Sequence, residues 1–332
     1  MSRVRPRLRH AAWIAAVAIA GCVGTRAYEQ TYLRASDNWV FRARYPEADH
    51  LFNGFDYGHA ILSEMLVRHP RDAAQRLEGP VYRRLTCEIL RHPPAVPLEE
   101  RAVGPTYTTK YPEAVETFEW AHMLHRQVYD IIAAYPLASE ERERRLRAAL
   151  RYYRSRPDLA LSARPKSMEL MEGQPYSLTF RKSAPKFNGL IWSFHWLQMA
   201  LYDALLDAPD GPTREATVAR DVELFRRMTY EDGRFAPAEM PMSPAIAPTF
   251  TRHYPELAAI FDNLHSLHDV VSDVLASPSV KERDKRAAIL LAISRYRDST
   301  SYVTSREEWM SMGGEMGGVD TTRLISAVST CR

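Results

Sequence analysis

Proline placement constrains this chain more than any other single feature. Twenty-two prolines are spread through 332 residues, and they fall between amphipathic stretches. Pro70, Pro93-Pro94, Pro136, Pro157, Pro165, Pro209 and Pro278 all sit at such breaks. A proline inside a helix removes a hydrogen bond and clashes with the preceding turn, so prolines mark where helices start and stop. The intervals between them read as helices at 51–68, 80–91, 112–134, 138–154, 187–206, 212–229, 255–276 and 281–297. Pro112 and Pro255 stand at predicted helix starts, with Glu113 and Glu256 in the first turn, where a carboxylate complements the positive end of the helix dipole. Alternating apolar runs, β-branched clusters and Asn-Gly turns are scarce, so strands are not expected. The fold class read from this pattern is all-α: a central four-helix bundle of two similar helix pairs, with peripheral helices and long loops at 157–186 and 230–254. The pairs would be 51–68 with 112–134, and 187–206 with 255–276.

Two of these helices share a signature 143 residues apart. Phe118-Glu119-Trp120-Ala121-His122-Met123-Leu124-His125 continues to Val128 and Asp130. Phe261-Asp262-Asn263-Leu264-His265-Ser266-Leu267-His268 continues to Val271 and Asp273. Two other helices match in part. Phe55-Asp56 precedes His59, and His195 is followed by Leu197, Gln198 and Asp203. Four helices thus each offer a histidine at what reads as an equivalent place: His59, His122, His195 and His265. Residues three apart share a helix face, so Glu119 points with His122, Asp262 with His265, and Asp56 with His59. Asp130, Asp203 and Asp273 return to that face about 12 Å further along, too far to share one metal ion with the histidine. They orient the ligands, belong to another layer or are structural.

Polar groups on aromatic faces such as Trp192-Ser193-Phe194-His195-Trp196 are costly to bury unless paired or metal-bound. Glu119 with His122, and Asp262 with His265, resemble the Glu-x-x-His pairs of the ferritin-like di-metal carboxylate bundles. That resemblance implies a metal centre with His59, Glu119, His122, His195, Asp262 and His265 as ligands, and Asp56, His125 and His268 as further ligands or groups orienting them. The excess of histidine over carboxylate pulls toward a hemerythrin-like, imidazole-rich site. Iron is the first expectation, with copper or zinc also suited to imidazole. If the centre is catalytic, a metal-dependent oxidoreductase, such as a di-iron one, is the class implied. Three other readings compete. The histidines could form a structural polar network in a non-enzymatic envelope protein. They could ligate haem b for electron transfer, c-type attachment being excluded by the lack of Cys-x-x-Cys-His. His268-Asp269 also spells the dipeptide of the HD phosphohydrolases. The methionines at 240, 242, 310, 312 and 316 read as gap fillers. The glycine-rich run from Gly313 to Gly318 lacks the Lys-Ser/Thr of a phosphate loop and reads as a flexible turn.

The chain begins with a different kind of signal. Arg3, Arg5, Arg7 and Arg9 precede the apolar run Ala11 to Ala20, and Ile19-Ala20-Gly21-Cys22 follows. A run of about ten apolar residues suits a signal peptide and is too short to span a bilayer. The tetrapeptide resembles the lipobox of bacterial lipoproteins. The resemblance implies a signal peptide at 1–21, cleavage before Cys22, acylation of that cysteine and attachment to a membrane. Val23-Gly24, with no aspartate after the cysteine, favours the outer membrane facing the periplasm over the inner one. The organisation then reads as a lipidated linker at 22–50, a helical domain at 51–298 and a tail at 299–332. Cleavage removes four of the 44 basic residues and none of the 41 acidic ones. The remainder is close to neutral, so nothing supports a nucleic-acid partner. Cys87 and Cys331 are free to pair or to remain thiols.

Overall fold

The computed structural model describes residues 31–313, 316 and 319–331. The expected signal peptide and lipidation site at Cys22 lie outside the described residues, as does part of the glycine-rich run. The chain divides into two units, Met1–Ser36 and Asp37–Arg332. In the first, the described residues 31–36 form turns without a helix. The second carries the architecture.

That unit is all-α. No strand occurs among the described residues, and a single antiparallel bridge joins Lys166 and Val303. Seven long helices form: α1 (Pro46–Arg68), α2 (Pro112–Ala133), α3 (Ser139–Tyr153), α4 (Pro185–Asp207), α5 (Gly211–Met228), α6 (Pro255–Ala276) and α7 (Glu282–Arg297). Proline occupies the first position of α1, α2, α4 and α6. These four are the inner helices: α1 packs on α4 and α6, and so does α2. α4 and α6 are buried on nearly every face, as expected of helices wrapped by others. The outer helices turn back on their predecessors, α3 on α2, α5 on α4 and α7 on α6. Behind α1 the matching place is taken by Ala73–Ile89, a run of short α and π turns around Pro80.

The molecule is therefore four copies of one unit. Each inner helix is preceded by a short lead helix: Val40–Arg44, Pro105–Lys110, Thr179–Ser183 or Pro248–His253. The residue between lead and inner helix (Tyr45, Tyr111, Ala184 or Tyr254) has φ near −130° and ψ of 50° to 61°. The proline behind it forbids a continuous helix, because the residue before proline is pushed out of the α region. The expected loops at 157–186 and 230–254 thus contain helical turns, too short to show a 3.6-residue period.

Carboxylates hold the four units together. Asp130 of α2 accepts the backbone N–H groups of Trp39 and Phe41, both at 2.9 Å. Glu64 of α1 accepts those of Thr106 and Tyr107 at 2.9 and 3.0 Å. Asp273 of α6 takes Leu178 and Phe180 at 2.8 and 2.7 Å, and Asp203 of α4 takes Thr249 and Phe250 at 2.9 and 2.7 Å. Each lead helix begins on a carboxylate from the far end of another inner helix, in a reciprocal exchange between α1 and α2 and between α4 and α6. The helices of each pair therefore run in opposite directions. Capping of this kind satisfies N–H groups that a helix start leaves without partners. Asp130, Asp203 and Asp273 are thus helix caps and not a second ligand layer.

The C-terminal segment packs on this frame. Trp309 is buried, Arg227 donates to the Ile325 carbonyl at 2.6 Å, and Cys331 is disulfide-bonded to Cys87.

Candidate metal centre

Register within the inner helices decides which side chains meet. Counted from the proline that opens each helix, the capping carboxylate is the eighteenth residue on: Glu64 from Pro46, Asp130 from Pro112, Asp203 from Pro185 and Asp273 from Pro255. The tenth residues are Asp56, His122, His195 and His265, and the thirteenth are His59, His125, Gln198 and His268. His59 is therefore equivalent to His125 and His268, one turn beyond the place that the Phe-acid spacing suggests. The position matching His122, His195 and His265 is filled in α1 by Asp56.

These positions meet in one interior layer. The rings of His195 and His265 stack with centroids 4.0 Å apart and planes 9° apart. His59 and His268 are 4.3 Å apart, His122 and His268 5.3 Å, His59 and His195 5.8 Å, and His125 and His265 6.0 Å. Phe55 lies against His59 at 4.0 Å, Phe118 against His268 at 4.0 Å and Phe261 against His125 at 4.1 Å. His59, His195 and His268 each bring one ring nitrogen to within 4.8 Å of the other two, so these three can hold a metal ion.

Nine buried ring nitrogens in the layer have no hydrogen-bond partner within the protein: both on His59, His195 and His265, Nε2 of His122 and His125, and Nδ1 of His268. An unsatisfied buried polar atom costs about 1–3 kcal/mol. Nine would cost on the order of 10 kcal/mol or more, comparable with the whole net stability of a typical domain, about 5–15 kcal/mol. Such a cluster is a place where a bound species could supply the missing partners. Burial, reinforced by the other imidazoles, holds His59, His125, His195 and His268 well below the usual histidine range, and His265 at about 3. His122 is also lowered by burial, Asp56 pulling it up in part. At neutral pH these are neutral imidazoles, the form that binds metals.

The carboxylates of the sequence pattern fare differently. Glu119 is exposed and outside the layer. Asp262 is buried, but Oδ1 accepts the Ser243 N–H at 2.9 Å and hydroxyl at 2.6 Å, and Oδ2 accepts the Trp309 indole N–H at 2.8 Å. Burial raises it to about 6 against those bonds. It anchors the 243–246 turn and the C-terminal segment. Asp56 does lie beside the layer, bonded through Oδ2 to Arg126 at 2.6 Å, and Arg126 also reaches Asp49 at 3.4 Å. Asp269, raised by burial to about 7, accepts the Trp192 indole N–H at 2.9 Å and so ties α6 to α4 next to His268.

Some of this lay beyond the spacing argument. Glu64 stands eight residues after Asp56, as the three capping aspartates stand after their histidines, and aligning on the prolines would have found it. The Tyr202 hydroxyl, 2.8 Å from His125 Nδ1, had no signal in the sequence.

No protein-family model, curated protein or solved structure matches the chain. Among the described residues no helix is long and apolar enough to cross a membrane.

Proposed function

We propose that this chain is a membrane-tethered lipoprotein whose helical domain binds a transition-metal ion, with iron as the metal, through His59, His195 and His268. The observation that carries the metal reading is the meeting of three neutral imidazoles from α1, α4 and α6 in an apolar interior with ring nitrogens unpaired. A purely structural polar network would be expected to pair its buried groups; this one does not. Haem is disfavoured by packing, since a porphyrin needs a flat slot between axial imidazoles and His195 and His265 are at stacking distance. A redox-active ion in this setting would support an oxidoreductase or electron-transfer role. The tether rests on the lipobox-like Ile19-Ala20-Gly21-Cys22, and the Cys87–Cys331 disulfide suits an oxidising, exported location.

Elemental analysis of the full-length chain, purified after expression in iron-supplemented medium, should find at least about one iron per chain. His195→Ala should remove most of it while the helical circular dichroism persists. Less than about 0.2 metal per chain, with zinc and copper supplied as alternatives, would end the metal reading. For the tether, Cys22→Ser should abolish acylation and release the protein from the membrane fraction; retention and labelling equal to wild type would refute it.

A further inference from the structure

A cavity of about 810 Å3 lies outside the histidine layer, between α4, α5 and the C-terminal turn at Thr321–Leu324. Its floor follows from the sequence. Trp196, Ala200 and Ala204 stand four residues apart along α4 and so share one face. The two methyl groups leave open a trough that larger side chains would fill. Leu224 of α5 and Ile325 of the C-terminal segment wall it. Small-molecule sites have this character, at about 300–1,000 Å3 with a mostly apolar lining and a few polar groups.

Two buried polar side chains in that lining have bonding capacity to spare. Trp196 is 6 % exposed, yet its indole N–H has no hydrogen-bond partner among the described residues, unlike those of Trp120, Trp192 and Trp309. Asp221 is 3 % exposed. Arg220 donates twice to its Oδ1, at 3.1 and 3.0 Å, and Oδ2 is left without a partner. The Arg220 side chain is 67 % exposed, so solvent screens much of its charge. Burial accordingly raises the Asp221 carboxyl, with Arg220 pulling against it.

Charge selects the sign of the ligand. Asp203, Asp207, Asp221 and Glu223 line the cavity against Arg220 and Arg227. Arg227 is spent on Glu223 at 2.8 Å and on the Ile325 carbonyl at 2.6 Å, and Asp203 on the N–H groups of Thr249 and Phe250. Asp207 and Asp221 then face Arg220 alone, so the lining repels an anion and attracts a cation.

We propose that this cavity binds a small amphipathic amine. Its ammonium group bonds Asp221 Oδ2, its hydrocarbon body lies on the alanine face of α4, and an acceptor oxygen on the ligand takes the Trp196 N–H. The indole face adds attraction for the ammonium. The site is separate from the histidine layer and does not depend on the metal reading.

The test is calorimetric titration of the full-length chain in nanodiscs of a zwitterionic lipid, with empty nanodiscs as the blank. Phenylalanine amide supplies the ammonium, the apolar ring and the acceptor oxygen. Phenylpropionamide lacks only the ammonium, and phenylpropionate carries a negative charge instead. At neutral pH the wild type should bind one phenylalanine amide per chain, phenylpropionamide about tenfold or more weakly, and phenylpropionate not measurably. Asp221→Asn should weaken phenylalanine amide about tenfold or more, as expected for a hydrogen bond to a charged group, and leave phenylpropionamide unchanged. Trp196→Phe should weaken both amides. Thr217→Trp, which fills the trough from a partly exposed position on α5, should abolish binding and decides the matter if Asp221→Asn does not fold. No binding by the wild type, equal affinity for the two amides, or phenylalanine amide bound undiminished by Asp221→Asn or Thr217→Trp would overturn the proposal. Metal content should be the same in all of these variants.

Discussion

At the residue scale, the carboxylates divide by what they touch. Asp130, Asp203, Asp273 and Glu64 each accept two backbone N–H groups of a lead helix. Their work is architectural, and removing one should cost stability without touching metal content. Asp130→Ala strands two donors, one on the buried Phe41, which costs about 1–3 kcal/mol for an unsatisfied buried group. We expect a lower urea midpoint of that size in equilibrium unfolding and an unchanged metal-to-chain ratio in the folded variant. A drop in metal content at unchanged stability would instead return Asp130 to the ligand sphere. The sequence places Asp130, Asp203 and Asp273 on the histidine face, and helical geometry supports that placement. Spacing cannot say what faces them from another element, and here it is a helix start about a turn and a half beyond the histidine layer. The same limit applies to Glu119 and Asp262. Both sit three residues before a histidine, yet one is exposed and the other is engaged by Ser243 and Trp309.

At the element scale, the long helices were legible and the short ones were not. The interval 255–276 coincides with α6, and 112–134, 138–154, 187–206, 212–229 and 281–297 differ from α2, α3, α4, α5 and α7 by one or two residues at their ends, whereas 51–68 begins five residues after α1 and 80–91 is broken into short α and π turns. Proline fixes the starts of α2, α4, α5 and α6 by sterics, independently of tertiary context. The lead helices have five or six residues, below the length at which an apolar period can be seen and far below that at which a helix persists alone. They exist because a distant carboxylate caps them and the body buries Phe41, Tyr107, Phe180 and Phe250. The all-α class follows from local pattern. The fourfold unit does not, because aligning Phe-acid-x-x-His puts α1 three residues out of register, whereas aligning the prolines places Asp56, His122, His195 and His265 together.

At the scale of the whole molecule, the histidine layer is a source of instability when nothing is bound. Six imidazoles titrate lower in the folded chain than in the unfolded one, where the value is about 6.5, and His265 falls to about 3. Below pH 6.5 the unfolded chain takes up protons that the folded core refuses. The stability these groups contribute is complete above that pH and is lost as pH falls toward 3. Each refused proton weighs on the order of 1 kcal/mol per pH unit. Carboxylates act in the opposite sense. Asp130, Asp262 and Asp273 are raised to about 6, Asp269 to about 7 and Glu100 to about 8, and Asp203 and Asp221 are raised as well, so the folded state gains relative stability as pH falls from about 8 toward about 4. The two sets oppose each other over this range, and removing one imidazole isolates its share. The change in urea midpoint from about pH 7.5 to about pH 5 should therefore favour folding more in a chelator-stripped His265→Leu variant than in the stripped wild type, with the disulfide intact in both. Metal bound at pH 7.5 should raise the midpoint above that of the stripped protein, since only the folded chain brings the imidazoles together. Equal pH responses of the stripped variant and the stripped wild type would mean that the layer is solvated or already paired, and the energetic case for a metal there would fall with it.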